Sequence, residues 1–183
     1  MSSTKPSTAL DNYKTLKKRG VYFLDAPVSG GTKGAESASL AIMVGGEKKI
    51  YKKNLKVLKI LGFPNYVGKP SSGQAAKLAN QIIVGITIGA VSEAIILSKK
   101  LGLKPTNVLK ALKGGWADSK ILQTHGLRMI KEDFKARGKV ASQLKDMENI
   151  LNTAKMNNIN LPLSLIIRNM YKNLSKKGYN NFD

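Results

Sequence analysis

Residues 74–101 read as one long helix, apolar nearly all round, and this segment limits the folds open to the chain more than any other. A helix that is apolar on most sides belongs in an interior, packed by several neighbours. Its longest uncharged stretch, residues 78–92, is shorter than the roughly 20 residues a membrane span needs, and it carries Asn80 and Gln81. The segment therefore predicts the central helix of a protein domain. Further helices follow it. Pro105 opens one, with Val108, Leu109 and Leu112 on one side and Gly114 and Gly115 at its end. Others are expected over residues 119–124, 140–156 and 162–176. Val140, Leu144, Met147 and Leu151 recur at helical spacing in the second of these.

Upstream the pattern alternates. A helix is predicted from a cap at Ser7 or Thr8 to about Arg19, with Gly20 just past its end. Residues 21–26 (VYFLDA) suit a buried strand, and a glycine-rich loop is expected over residues 27–34. Residues 40–44 suit a second strand, residues 47–61 a Lys-rich helix, and residues 65–68 a last strand. Alternation of this kind belongs to an α/β layer. Three short strands leave sheet edges bare, so the layer reads as a partial one. The predicted organisation is an α/β segment, residues 1–67, followed by an all-α domain, residues 68–183.

Composition removes several function classes. With no cysteine there is no disulfide framework, thiol nucleophile or zinc ribbon, and one histidine, His125, excludes a two-His metal site. The net charge of +20 can draw nucleic acid, anionic lipid or a small anionic ligand. Only Arg19, Arg128, Arg137 and Arg168 carry the forked guanidinium that base and phosphate readers favour, and the lysines are spread along the chain. That distribution argues against a dedicated nucleic-acid reader. The rival to an enzyme is a non-catalytic basic helical module that binds nucleic acid or mediates dimerisation. The N-terminus shows no apolar signal-peptide core, and the chain is read as soluble and cytoplasmic.

Three groups of residues are candidates for chemistry. In residues 25–31 (DAPVSGG) an apolar run ends, Pro27 sets a turn, and Gly30 and Gly31 expose successive amides beside the Ser29 hydroxyl. This is either an anion-holding nest or an ordinary turn. On the long helix, Lys77, Asn80 and Gln81 share a face at i, i+3 and i+4, and Gly85 leaves room beside them. A lysine there either snorkels to water or hydrogen-bonds a ligand carbonyl and donates its proton as an alkoxide forms. Lys145 and Asp146 are a solvated pair or part of a site. Trp116 is expected to pack, and His125 to lie at the surface or cap a helix. The segment from Gly68 to Ala75 has P-loop spacing, but Gln74 stands where the lysine belongs, and no G-x-G-x-x-G is present.

Together these segments resemble the β-hydroxyacid dehydrogenase family. DAPVSGG and IMVGG (residues 25–31 and 42–46) are similar to its substrate loop and following strand. GQAAKLANQ (73–81) is similar to its catalytic helix, and QLKDMENI (143–150) to its Lys-Asp helix. The order and spacing match along essentially the whole chain. AKLANQ and GGWADS (114–119) are closer to the tartronate semialdehyde reductases (2-hydroxy-3-oxopropionate reductases) than to the 3-hydroxyisobutyrate dehydrogenases.

The resemblance implies a Rossmann-like segment followed by an all-α domain of the 6-phosphogluconate dehydrogenase C-terminal type. It implies homo-oligomers, with NAD or NADP as cofactor and a small β-hydroxy acid or its semialdehyde as substrate. By carry-over Lys77 is the catalytic acid/base. Ser29, Gly30, Gly31, Asn80 and Gln81 bind substrate, and Ser2 and Lys145 contact the cofactor. The chain departs from the family pattern at its front, where the G-x-G-x-x-G half is missing. It departs again at Gly138, where the family tends to have an aromatic, and at its end. The expectation drawn from this is a fragment lacking most of the N-terminal Rossmann domain, weakly active or inactive for want of a helix N-terminus under the pyrophosphate.

Overall fold

The computed structural model describes residues 1–183. The chain opens with helix α1 (Pro6–Lys18) and continues through strands β1 (Leu24–Asp25) and β2 (Val28–Ser29), helix α2 (Gly31–Glu36), strand β3 (Leu40–Gly46), helix α3 (Lys48–Leu61) and strand β4 (Gly62–Gly68). Five helices follow: α4 (Ser72–Lys100), α5 (Pro105–Leu112), α6 (Lys120–Ile130), α7 (Val140–Met156) and α8 (Pro162–Lys176), before a 3₁₀ turn, Tyr179–Asn181. An α/β segment thus precedes an all-α one, as the sequence implies. Two compact units form, residues 1–81 with 148–160, and residues 82–147 with 161–183.

In the first unit β3 organises the sheet. β1 and β2 pair antiparallel to it, Leu24 opposite Gly46 and Val28 opposite Ile42. They are two halves of one run broken at Pro27, which has no N–H to donate but whose carbonyl accepts from the Met43 amide. β4 pairs parallel to β3 on its other side, through the α3 crossover. Ile42 and Val44 are fully buried and form the core with Ala26, Leu40 and Leu58. Helix α3 turns Ile50 and Leu58 inward, while its lysines face solvent. This strip of charge is a solvated face on an apolar base.

The expectation of a fragment lacking most of the N-terminal Rossmann domain is overturned. Four strands in one sheet, with α1 to α3, stand ahead of α4. That expectation rests on the missing G-x-G-x-x-G, which is a phosphate-binding device. Strand formation depends instead on apolar runs, and these are present. The glycine-rich stretch after β2 also differs from its predicted loop, because residues 31–36 are helical. Gly34 is buried there, and a Cβ on it would lie 3.2 Å from Leu40 Cδ2, so its glycine permits α2 to seat against β3.

In the second unit Val91 and Ile95 of α4 pack with Leu122 of α6, flanked by Leu109, Leu112 and Met129. Ser119 caps α6 by accepting the Leu122 amide at 2.9 Å. The C-terminal turn is tied back, with Asp183 accepting from Arg128 at 3.0 Å and from the Gly138 amide at 2.6 Å. Helix α4 is long and apolar enough, by length and composition, to cross a membrane. It is not buried on every side, since Ile83, Ile96 and Leu97 lie exposed along it.

His125 also departs from its expected surface or capping place. It is half-buried and lines a cavity of about 420 Å³ with Arg128, Gly138, Gln143 and Tyr171. Burial holds its pKa below the ordinary 6.5, and the Arg128 charge lowers it further against an opposing pull from Asp183. Burial and Asp183 push the Tyr171 hydroxyl up to about 12. As pH falls below 6.5 the unfolded chain takes up a proton that the folded chain refuses, so this histidine lowers stability across that window and costs nothing above it. The ring resonance of this sole histidine is expected to titrate below 6.5 in proton NMR, with the urea midpoint falling from pH 7.5 to 5. A ring titrating at or above 6.5 contradicts the assignment.

Candidate active site

The first turn of α4 takes its cap from a strand 46 residues earlier. Asp25, at the end of β1 and 3% exposed, accepts the Ser71 amide on Oδ1 at 2.9 Å and the Gln74 amide on Oδ2 at 2.8 Å. Free amides at a helix start carry partial positive charge, and a carboxylate both satisfies and neutralises them. The helix start at residues 68–75, whose spacing is that of a P-loop, thus already holds an anion of the chain's own, the Asp25 carboxylate. The approach requires bare backbone. A Cβ on Gly45 would fall 2.5 Å from Asp25 Oδ1 and 2.6 Å from the Gly73 nitrogen, and one on Gly73 would strike the Asp25 and Met43 carbonyl oxygens.

One face of α4 then carries a buried polar stripe. Gln74, Lys77 and Gln81 stand at i, i+3 and i+7 and are 3%, 9% and 6% exposed. Lys77 Nζ donates to Gln81 Oε1 at 2.9 Å, and Asn80 Nδ2 donates to the same oxygen at 2.8 Å. The predicted trio is therefore joined through one carboxamide oxygen. A buried ammonium holds its place only with hydrogen-bonding partners, and this oxygen is one. Gln74 reaches the other way: its Oε1 accepts the Thr4 amide at 3.0 Å and its Nε2 donates to the Ser2 carbonyl at 2.8 Å. Ser2, itself exposed, is thereby fastened to the helix that carries Lys77.

The predicted anion turn lies in the same unit. Ser29 is half-buried at the end of β2, and Gly30 and Gly31 are exposed with φ of +142° and +63°. A Cβ on Gly30 would meet Leu40 Cδ2 at 3.0 Å, while Gly31 opens on free space. Asp25, four residues before Ser29, connects this strand run to the start of α4. Lys145 belongs to the second unit and is paired with Asp146 at 3.1 Å. The indole of Trp116 stands fully in solvent, at 108% relative exposure, contrary to its expected packing role.

Asp25 and Gln74 are site residues that sequence reasoning passes over. Each acts on a segment 46 to 72 residues away, beyond any periodic pattern. A signal does exist: an aspartate closing an apolar strand must find donors, and so must a glutamine on a buried face.

Residues 71–183 match the family model described as NAD-binding of NADP-dependent 3-hydroxyisobutyrate dehydrogenase. Residues 1–69 match the NAD binding domain of 6-phosphogluconate dehydrogenase, which places strands β1 to β4 inside that domain. The chain is 39% identical over 184 residues to 2-hydroxy-3-oxopropionate reductase of Escherichia coli K12, covering 100% of this chain and 63% of the relative. To 2-(hydroxymethyl)glutarate dehydrogenase of Eubacterium barkeri it is 33% identical over 174 residues, covering 94% of this chain and 58% of the relative. Among solved structures, 3-hydroxyisobutyrate dehydrogenase from Mycobacterium tuberculosis, determined with L-serine, superimposes with a TM-score of 0.90 at 26% identity, over 100% of this chain and 65% of that one. The Salmonella typhimurium 3-hydroxyisobutyrate dehydrogenase gives 0.91 at 24% identity, which shows the shared fold, again over 100% and 65%.

Proposed function

The chain belongs to the family of the NADP-dependent 3-hydroxyisobutyrate dehydrogenases, and from that premise we propose that it serves the NAD- or NADP-dependent interconversion of a β-hydroxy acid and its semialdehyde. The observation that carries this reading is the buried Lys77, held by Gln81 on a helix whose first turn is capped from the strand run leading to the 29–31 turn. In the oxidative direction the Lys77 amine takes the hydroxyl proton, and in the reverse direction its ammonium returns a proton to the carbonyl oxygen. Ser29, Gly30 and Gly31 grip the substrate carboxylate, and Asn80 and Gln81 orient substrate and lysine. The exposed Ser2, fixed to α4 three residues before Lys77 by Gln74, contacts the cofactor in this reading. Lys145 is assigned a cofactor contact on the family resemblance. When bound, the nicotinamide supplies the hydride acceptor or donor.

Residues 1–67 serve the cofactor in this reading and residues 68–183 the substrate and assembly. The substrate preference is of the 2-hydroxy-3-oxopropionate reductase type, supported by the 39% identity to the Escherichia coli enzyme. The protein works in the cytoplasm as a homo-oligomer, which the exposed Leu163, Ile166 and Met170 along one side of α8 support. The chain spans about 63% of the length of its first curated relatives.

The test is nucleotide reduction by the purified chain with D-glycerate or 3-hydroxyisobutyrate. Weak turnover is expected, since no G-x-G-x-x-G lies in the chain to seat the pyrophosphate, and Ser29→Ala is expected to raise KM for the acid by about 10-fold, the worth of one hydrogen bond to a charged group. A folded chain that reduces neither nucleotide with either acid sinks the reading. Submicromolar, steeply salt-dependent binding to random duplex DNA in its place supports the nucleic-acid module.

A further inference from the structure

We infer that Gln74 is a positioning residue that sets the cofactor-contacting segment, residues 2–4, at a fixed place relative to the Lys77 amine. The inference rests on the functional reading above and deepens it at Gln74. Gln74 is held at three points. Its amide N–H is fixed to Asp25 Oδ2 at 2.8 Å, its Oε1 receives the Thr4 N–H at 3.0 Å, and its Nε2 gives a hydrogen bond to the Ser2 carbonyl at 2.8 Å. The side chain thus grips the backbone at two points around Ser3, as a neighbouring strand would. The Gln74 side chain is 3% exposed and its bonds to residues 2 and 4 are part-buried, which limits their exchange with water.

The spacing gives the grip its purpose. Gln74 precedes Lys77 by three residues on the same face of α4, so both ride on one rigid turn. Asp25 anchors that turn to β1. One side chain therefore relays a single origin, the start of α4, to the segment that bears Ser2 and to the proton-carrying amine. A small misplacement between two reacting partners lowers rate steeply, which gives such a relay its value.

The chemistry of the amide also supplies the test. A glutamine offers one acceptor and two donors. Gln74→Met keeps length and volume and removes both bonds. Gln74→Glu, when ionised, keeps the acceptor for Thr4 but turns a lone pair toward the Ser2 carbonyl. When protonated it regains a donor and restores both contacts.

Wild type and both variants of the full chain are compared by NADPH and NADH fluorescence titration, amide hydrogen exchange at Thr4, and steady-state kinetics, with circular dichroism reporting the fold. Gln74→Met is expected to speed Thr4 exchange at least about 10-fold and to raise nucleotide Kd and KM about 10-fold, leaving KM for the acid within about 2-fold. Gln74→Glu is expected to bind nucleotide weakly at pH 8 and to recover as pH is lowered. Should Gln74→Met fail to fold, Gln74→Glu alone carries the test through its pH profile. Wild-type nucleotide affinity in a folded Gln74→Met, or a pH-independent Gln74→Glu that matches wild type, overturns the inference. A wild-type chain that binds neither nucleotide overturns the functional reading instead, and this inference with it.

Discussion

Lys77→Met is expected to lower turnover by about 100-fold to 10,000-fold, the span general acid–base groups supply, while leaving the fold intact. The two halves of this result are argued from the same contacts. Methionine matches the lysine stem in length but cannot carry a proton, so the step at the substrate oxygen loses its donor and acceptor. The fold survives because Gln81 Oε1 keeps the Asn80 Nδ2 donor at 2.8 Å. Methionine also brings no charge whose burial must be compensated. Steady-state rates and urea unfolding of the same preparation check both halves. A variant that retains more than about a tenth of wild-type turnover removes Lys77 from the chemistry, whatever its stability.

Asp25→Ala is expected to act on stability instead, with a loss of about 2 kcal/mol or more, because one buried and one part-buried amide are left without an acceptor. The lost bonds are those to Ser71 and Gln74 at the start of α4. Urea denaturation followed by circular dichroism reads this directly, as a lower midpoint. Activity should fall with it, since the start of α4 is what fixes Lys77 three to six residues later. A variant with an unchanged midpoint shows that the helix start finds other partners and that Asp25 is no anchor.

These two residues also mark where the sequence was legible and where it was not. Lys77 and Gln81 stand one turn apart, so their pairing follows from helix geometry alone. The same holds for the α7 and α8 boundaries, observed at Val140–Met156 and Pro162–Lys176 as the periodicity predicts. Asp25 belongs to a different class of contact. Its partners lie in another element, so nothing local separates it from an aspartate that ends a strand in water. Residues 31–36 were obscured for the converse reason. Gly30, Gly31 and Gly34 carry every mark of a loop, and a short helix forms because the packing against Leu40 outweighs poor propensity. The strand foreseen over residues 21–26 forms only at β1, Leu24–Asp25, and β2 adds Val28–Ser29 beyond Pro27, inside the stretch foreseen as a loop, with both paired to β3. Trp116 misled through its chemistry, since large aromatics are mostly buried and this one is not.

That bare indole has a consequence of its own. It is the sole tryptophan, and it already meets water on all sides in the native protein. Its emission therefore barely moves when the core melts, and the chain is nearly silent to the usual fluorescent signal of unfolding. The same light turns into a clean reporter of company: a shift to the blue announces that another surface has come to rest on residue 116.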